Sequence, residues 1–250
     1  MKTTQLVPFL LLVVMSLSSC LTIVEEITIR KDGSGSYRIA MDGSKVKEMF
    51  GDIANKMGTD SQKDSTRAEV PADTISDVEK EEKKYMLTAR LLSEKSGISN
   101  AIGFNDTTQF QSGYSFDFAR LEDLQEAMIS LEDEEAFGLW NDEASIELKG
   151  KTLKRSTGNS GFGDFLAEVM LKKSEDEGQD GAAVKNMMKM MFRDLEFKTV
   201  YHFPDQKIKK WNDKRATVSN DRHTLTLLEK PMDEKSKADK KPEALIIRLK

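Results

Sequence analysis

The chain has 250 residues, of which 38% are hydrophobic and 32% are charged, and its formal net charge at pH 7 is −5. This mildly acidic balance, without a basic stripe, argues against a nucleic-acid-binding protein. Because the chain has a single cysteine, an intramolecular disulfide is excluded.

The first twenty residues have the three parts of a secretory signal. Lys2 provides a positive start, residues 6–17 form an apolar run, and the segment closes with Leu17-Ser18-Ser19-Cys20. The apolar run is too short to span a hydrocarbon core of about 30 Å, which needs about 20 residues. Its length, charged start and small final residues are typical of a signal that is removed.

The four residues that close this segment resemble the lipobox of bacterial lipoproteins, in which a peptidase cuts before a diacylated cysteine. An ordinary signal-peptidase site beside a free thiol is the alternative, but the A-x-A pattern of such sites is missing. We therefore predict removal of residues 1–19, palmitate-type lipidation of Cys20 and stable anchoring, since two acyl chains hold a protein to a membrane. Leu21 follows the cysteine in place of an inner-membrane-retaining aspartate, and by that resemblance we expect the outer membrane, facing the periplasm.

The mature chain is predicted to begin with a β-hairpin and a helix. Residues 23–29 and 37–41 alternate between apolar and polar positions on either side of a glycine-bearing turn, which is typical of a hairpin. Helical spacing then follows over residues 46–57, with Ser44 as candidate N-cap. Residues 58–73 are polar and predicted to be a loop.

The middle of the chain is predicted to contain a charged helix, two strands and a second short helix. The first helix covers about residues 76–95 and ends at Gly97. Two alternating stretches follow, one predicted to place Ile98, Ile102 and Phe104 together and the other Phe110, Tyr114, Phe116 and Phe118. Helical spacing returns at Leu121, Leu124, Met128 and Leu131.

The rest of the chain is predicted to contain a hairpin, two helices and several strands. The hairpin covers residues 146–155 with its turn at Gly150-Lys151, and the helices lie around 162–172 and 182–192. Strands are then predicted at 195–203, 208–211, 216–219, 224–228 and 245–249. We also expect the first and last strands to pair within one sheet.

These elements predict an α+β fold, with a mostly antiparallel sheet and helices packed on one face. The alternation implies that the other face of the sheet is solvated. No linker of low complexity divides residues 20–250, so we predict a single domain anchored at its N-terminus.

Both ends of the mature chain resemble the LppM-type lipoprotein domain of bacterial envelopes. The resemblance lies in Cys20 through the hairpin 27–41, in Tyr201-His202-Phe203-Pro204, and in Ile208, Trp211-Asn212 and the strand 224–228. Asp205 departs from the family pattern, where a glycine is expected after the proline. The resemblance implies a lipid-facing envelope role and supplies no catalytic residues.

No motif in the sequence marks an enzyme or a metal site. His202 and His223 have no metal-ligand partners at helical spacing, so solvated strand positions explain them better. Ser44-Lys45-Val46-Lys47 fits S-x-x-K but lacks the S-D-N and K-T-G motifs that accompany it. An EF-hand loop starting at Asp176 would place Met187 where an acidic ligand is needed. We therefore expect no catalytic residues, no metal and no cofactor.

The most unusual feature is a methionine-rich helical stripe made of Val184, Met187, Met188 and Met191. Such spacing is typical of any helix that faces a core. Methionine also lines adaptable apolar sites, so the stripe is the candidate ligand-binding surface.

Three hypotheses for the function follow. The first is a non-catalytic envelope module that binds lipid or an apolar ligand. The second is a structural or accessory subunit of an outer-membrane protein assembly, using an envelope protein as partner. The third, an enzyme acting on envelope polymers, is the weakest because the usual nucleophile, metal and acid–base motifs are missing.

Overall fold

The computed structural model describes residues 21–43, 72–131, 140, 144–157, 195–230 and 242–250, without the side chains of residues 72–82 and 157. The predicted signal, Cys20 and the predicted helices at 46–57, 162–172 and 182–192 lie outside these residues. In the described part, strands dominate and two helices accompany them, which confirms a mixed α+β fold.

Eleven described strands form two sheets. The larger sheet contains β1 (Thr22–Ile29), β2 (Gly35–Asp42), β3 (Ile98–Asp106), β4 (Gln111–Phe118), β7 (Glu196–His202), β9 (Ala216–Val218) and β10 (Thr224–Glu229), in the order β3-β4-β2-β1-β7-β10-β9. The smaller sheet contains β5 (Ala144–Lys149), β6 (Thr152–Thr157), β8 (Ile208–Trp211) and β11 (Leu245–Leu249), in the order β5-β6-β11-β8. All pairs are antiparallel except β1 with β7, which agrees with the predicted mostly antiparallel arrangement.

The predicted first hairpin is confirmed. β1 and β2 pair along their full length, from Thr22 opposite Asp42 to Ile29 opposite Gly35. The chain reverses at Gly33, whose φ of +88° is a conformation that residues with a Cβ rarely adopt. Period-two alternation therefore places one set of β1 side chains in the core and leaves the other half-exposed, as a sheet with one solvated face requires.

Three positions predicted to be buried are wrong, two on β3 and one before β4. Ile102 and Phe104 are predicted to lie on the face of Ile98, but both lie on the half-exposed face, and Ile102 is 59% exposed. A bulge after Ser99 inserts one residue and reverses the alternation. Asn100 takes up that residue with a φ of +52°. Phe110 was expected on the buried face of β4, but it lies before the strand with a φ of +55° and is 45% exposed.

Helix α1 (Ala72–Ser93) lies against β3 and β4 and is followed by Gly97, whose φ is +76°. The approach to β3 is close, since a Cβ on Gly103 would lie 2.4 Å from the Tyr85 carbonyl oxygen. This contact requires glycine at position 103.

Helix α2 (Leu121–Ile129) buries the residues that the helical spacing predicted, Leu121, Leu124 and Met128, and contacts β5. Leu131, just after the helix, is buried as well. The predicted packing of the helices together on one face is not shown. What lies against the middle of β1 is the smaller sheet, whose Arg155 reaches Glu25.

The predicted pairing of the first and last strands is wrong. β1 pairs with β2 and β7, whereas β11 pairs with β6 and β8 in the smaller sheet. Alternation specifies which β11 side chains are buried, namely Leu245, Ile247 and Leu249, but it carries no information about the strand's neighbours.

Candidate functional site

A buried polar cluster joins the two sheets at the middle of β1. Glu25 lies on the inward face of β1 between Ile23 and Ile27, and its side chain is fully buried. Thr199 on β7 lies directly opposite. The other members come from β2, from β6, from β7 and from residue 140, and together they form the Glu25 cluster: Glu25, Tyr37, Trp140, Arg155, Thr199 and Tyr201.

The Glu25 carboxylate is bound on both oxygens. Arg155 donates from Nη1 to Oε2 at 2.7 Å and from Nη2 to Oε1 at 2.8 Å, which is a bidentate ion pair. Oε1 also accepts from Trp140 Nε1 at 3.0 Å and from the Tyr37 hydroxyl at 3.1 Å. Oε2 also accepts from Thr199 Oγ1 at 3.3 Å. A buried charge demands this degree of pairing, because desolvation of an unpaired carboxylate costs several kcal/mol.

Arg155 is held equally firmly. Its Nη1 donates to the Tyr201 hydroxyl at 2.9 Å. The guanidinium lies over the Trp140 ring at 4.6 Å and over the Tyr201 ring at 5.8 Å, both within cation–π range. The Arg155 Nε is buried and has no hydrogen-bond partner among the described residues. The guanidinium is therefore stabilised by Glu25, by the Tyr201 hydroxyl and by the two aromatic rings.

The tyrosines and the arginine of the cluster keep their protons at physiological pH. Burial raises the pKa of Tyr201 to about 12 and raises the pKa of Tyr37 well above its ordinary value of 10. Burial acts to lower the pKa of Arg155, but the negative charge of Glu25 and the contact with Tyr201 raise it above its ordinary value. The cluster is therefore suited to hold the sheets together, and these groups do not exchange protons near pH 7.

A shallow groove of about 410 Å³ lies on the opposite, half-exposed face of the larger sheet. Its polar groups are largely satisfied by one another. Arg38 donates to Glu26 at 3.3 Å, Asn100 donates to Asp117 at 2.7 Å, and His202 Nδ1 lies 3.2 Å from the Thr224 hydroxyl. These pairs are what a solvated sheet face shows.

The two histidines have structural surroundings. His202 is a half-exposed residue of that outer face, and His223 donates from Nδ1 to the Phe203 carbonyl at 2.6 Å. Within the described ranges, no group of three or more His, Cys, Asp or Glu side chains is placed to hold a metal ion.

The N-terminal end of β1 lies directly after the predicted lipidation site. Leu21 is 8% exposed, and its carbonyl accepts a hydrogen bond from the Glu196 amide at 3.0 Å. The hydrogen bonding between β1 and β7 therefore begins at the carbonyl of Leu21, the residue that follows Cys20. In the described part of the chain, no helix is both long and apolar enough to cross a membrane.

The comparisons with known proteins identify no family. No family model matches the chain. No curated protein matches it either. Among solved structures, it is similar to the NMR structure of the folded domain of LppM from Mycobacterium tuberculosis, at 12% sequence identity over 92% of this chain and 90% of that chain, with a TM-score of 0.39. A likeness at this level places the chain in no family.

The residues predicted to form sites from the sequence lie outside the described residues. This applies to Cys20 and to the methionine-rich stripe of Val184, Met187, Met188 and Met191. Both therefore stay predictions.

The Glu25 cluster was missed by the sequence analysis, although one signal was available. Glu25 interrupts an otherwise apolar inward set made of Ile23, Ile27 and Ile29. A charged residue at such a position requires a buried cation. Its partner Arg155 lies 130 residues away, and the sequence contains 38 Lys and Arg from which to choose.

Proposed function

We propose that this protein is a lipid-anchored envelope protein whose folded domain is held directly against a membrane and acts there as a non-catalytic module that binds lipid or another apolar ligand. The observation that carries the proposal is the burial of Leu21 and its hydrogen bond to Glu196, immediately after Cys20. One residue spans at most about 3.6 Å. A diacylated Cys20 would therefore hold the sheet at the membrane surface without a flexible tether.

The proposal of a non-catalytic role is supported by the chemistry of the buried cluster. The five donors around Glu25 occupy both of its oxygens. A general acid or base needs access to the proton that it moves, and this carboxylate is fully buried.

The anchor is tested by Cys20→Ala in the full chain. Ser19→Ala is the matched control, because it exchanges one small residue for another at the same predicted cleavage site. We expect Ser19→Ala to be processed, to carry the lipid mass on its first peptide and to sediment with membranes. Cys20→Ala should lose all three properties. Separation of inner from outer membranes by density then tests the proposed outer-membrane location. A Cys20→Ala protein that is processed and sediments like wild type would contradict the proposal.

Ligand binding is tested separately by native mass spectrometry of the mature protein purified in mild detergent. We expect co-purified lipid, or a mass shift on adding phospholipid, beyond the covalent acyl chains. The methionine-rich stripe is tested by Met187→Asn with Met188→Asn, which should reduce the shift. A protein that retains no lipid and shows no shift with any added lipid would remove the binding role while leaving the anchor in place.

A second candidate function, an accessory subunit of an outer-membrane assembly, is favoured by one apolar edge. β3 is the outermost strand of the larger sheet and exposes Ile102. Helix α1, which packs on it, exposes about half of Met86 and of Leu87. Exposed sheet edges and apolar patches are typical of protein interfaces. Crosslinking in intact cells from position 102 tests it, and a protein that captures no envelope partner from there would argue against it.

A further inference from the structure

We propose that the turn between β3 and β4, which ends at Phe110, is a second membrane contact that sets the orientation of the domain on the bilayer. This inference rests on the proposed lipid anchor at Cys20 and deepens it. The occupant is the boundary between lipid headgroups and acyl chains.

The sheet register brings this turn to the anchor. Thr22 lies opposite Asp42 on β2, and Asp42 lies opposite Gln111 on β4. One residue further out, Leu21 and Gly43 stand at the same level, and the Gly43 amide donates to the Phe110 carbonyl at 2.8 Å. Phe110 is thus two strands away from Leu21 along the end of the sheet, a distance of about 10 Å at the usual strand spacing.

Phe110 is presented outward by a well-defined turn. Its ring belongs to a side chain that is 45% exposed, and its backbone has a φ of +55°. At the start of the turn, the Asp106 carboxylate accepts hydrogen bonds from the Thr108 hydroxyl at 2.6 Å, from the Thr108 amide at 2.9 Å and from the Gln109 amide at 3.0 Å. Aromatic side chains with an apolar body are suited to the membrane interface.

Three carboxylates near this end of the sheet are paired with basic side chains, whereas Asp106 in the turn itself is held by Thr108 and Gln109 and keeps its negative charge. Glu196, which lies beside Thr22 on the neighbouring strand β7, is paired with Lys230 at 2.9 Å. Glu229 and Asp213 are both paired with Arg215, at 2.9 and 2.6 Å. Carboxylates neutralised in this way repel anionic headgroups less than free ones.

Distance from the anchor decides which exposed apolar residue meets the membrane. Ile102 is more exposed than Phe110, but it stands opposite Ser115, which stands opposite Arg38 and so at the level of Glu26. That level is five residues above Leu21, or about 17 Å along the strand. Exposure alone would favour contact through Ile102, whereas the register favours Phe110.

The test uses the full lipidated chain with single added cysteines, since the natural Cys20 is blocked by its lipid. Phe110→Cys is compared with Ile102→Cys and with Lys31→Cys, which lies in the turn at the opposite end of the sheet. Each protein is labelled with an environment-sensitive fluorophore and reconstituted into phosphatidylethanolamine–phosphatidylglycerol vesicles that contain a bromine-labelled phosphatidylcholine. Gln109→Cys, exposed and adjacent, replaces Phe110→Cys if that variant does not fold.

We expect the label at position 110 to shift to the blue and to lose most of its emission to bromine, while labels at 102 and 31 behave as in water. Equal emission at 110 and 31 in proteins that float with the vesicles would overturn this inference and leave the anchor intact. Quenching at 102 as strong as at 110 would overturn the proposed orientation. Proteins that do not float with the vesicles would remove the anchor and this inference with it.

Discussion

Removal of the cation in the Glu25 cluster should be among the most damaging single substitutions in the described core. Arg155→Met keeps much of the side-chain length but removes the three hydrogen bonds to Glu25 and Tyr201. It leaves a fully buried carboxylate without its counter-charge. Breaking a buried ion pair from one side costs about 3–5 kcal/mol. Because a domain is stable by about 5–15 kcal/mol in total, we expect a large loss of stability.

A matched control lies on the other face of β1, where Glu26 pairs with a residue of β2. Arg38 pairs with Glu26 at 3.3 Å, and these side chains are 37% and 36% exposed. Solvent-exposed pairs contribute about 0–1 kcal/mol. Arg38→Met should therefore lower the free energy of unfolding far less than Arg155→Met, although each substitution removes one arginine from one ion pair.

A double variant separates the loss of the counter-charge from the loss of packing. In Glu25→Gln with Arg155→Met, the amide oxygen still accepts from Tyr37 and Trp140, while the buried negative charge is gone. This protein should be more stable than Arg155→Met alone, because replacing both partners of a buried pair removes the unpaired charge.

The measurement is equilibrium unfolding in urea of the mature protein in mild detergent, followed by tryptophan fluorescence and far-ultraviolet circular dichroism. The free energies of unfolding of wild type, both single variants and the double variant form the comparison. If Arg155→Met cost no more than Arg38→Met, and the double variant regained nothing, the argument that Glu25 depends on Arg155 for its burial would be refuted.

Three further predictions follow from local geometry. The pKa of Tyr201 is raised to about 12 and those of Tyr37 and Tyr114 are raised above 10, all chiefly by burial, so the folded state retains protons that the unfolded chain releases. Stability should therefore be unaffected by these groups below pH 10 and should fall from about pH 10 to 12. The phenolate absorbance of these three tyrosines should rise only on unfolding, so their titration near pH 10 in the folded protein would contradict this. Gly103→Ala should cost about 1–3 kcal/mol by pushing α1 from β3, whereas Gly43→Ala, whose nearest neighbour would be 3.6 Å away, should cost less, and equal melting temperatures would argue against the contact. Gly97→Ala should also destabilise the domain, since the φ of Gly97 is +76° and a Cβ would lie 2.3 Å from the Asp123 carboxyl. A melting temperature like that of wild type would argue against this positive-φ turn after α1.

Much of the secondary structure was predictable because its signals are local. Period-two alternation predicted the hairpin of β1 and β2, and a buried set running from Leu195 to Phe203 predicted β7. Glycines with positive φ marked the turns at Gly33 and Gly150. In each case a few neighbouring residues carry both the pattern and its cause, so no tertiary information is needed.

Local patterns failed where a single residue changes the register. The bulge at Asn100 turns Ile102 to solvent, and the turn stabilised by Asp106 takes Phe110 out of β4. A shift by one residue reverses every later side chain, because side chains alternate with a period of two. Neither the bulge in β3 nor the turn before β4 has a signature in the hydrophobic pattern that precedes it.

By itself the sequence determined the strands and, apart from β3 and Phe110, their buried faces, and it supports the prediction of a lipid at Cys20. Only the tertiary structure decided that β1 pairs in parallel with β7, that β11 belongs to the smaller sheet, and that Glu25 meets Arg155. The physical reason is that burial is a property of each strand's own alternation, whereas pairing depends on the closure of long loops and on the geometry of distant partners. The same strand pairing places Phe110 two strands away from Leu21, although the two positions are far apart in the chain.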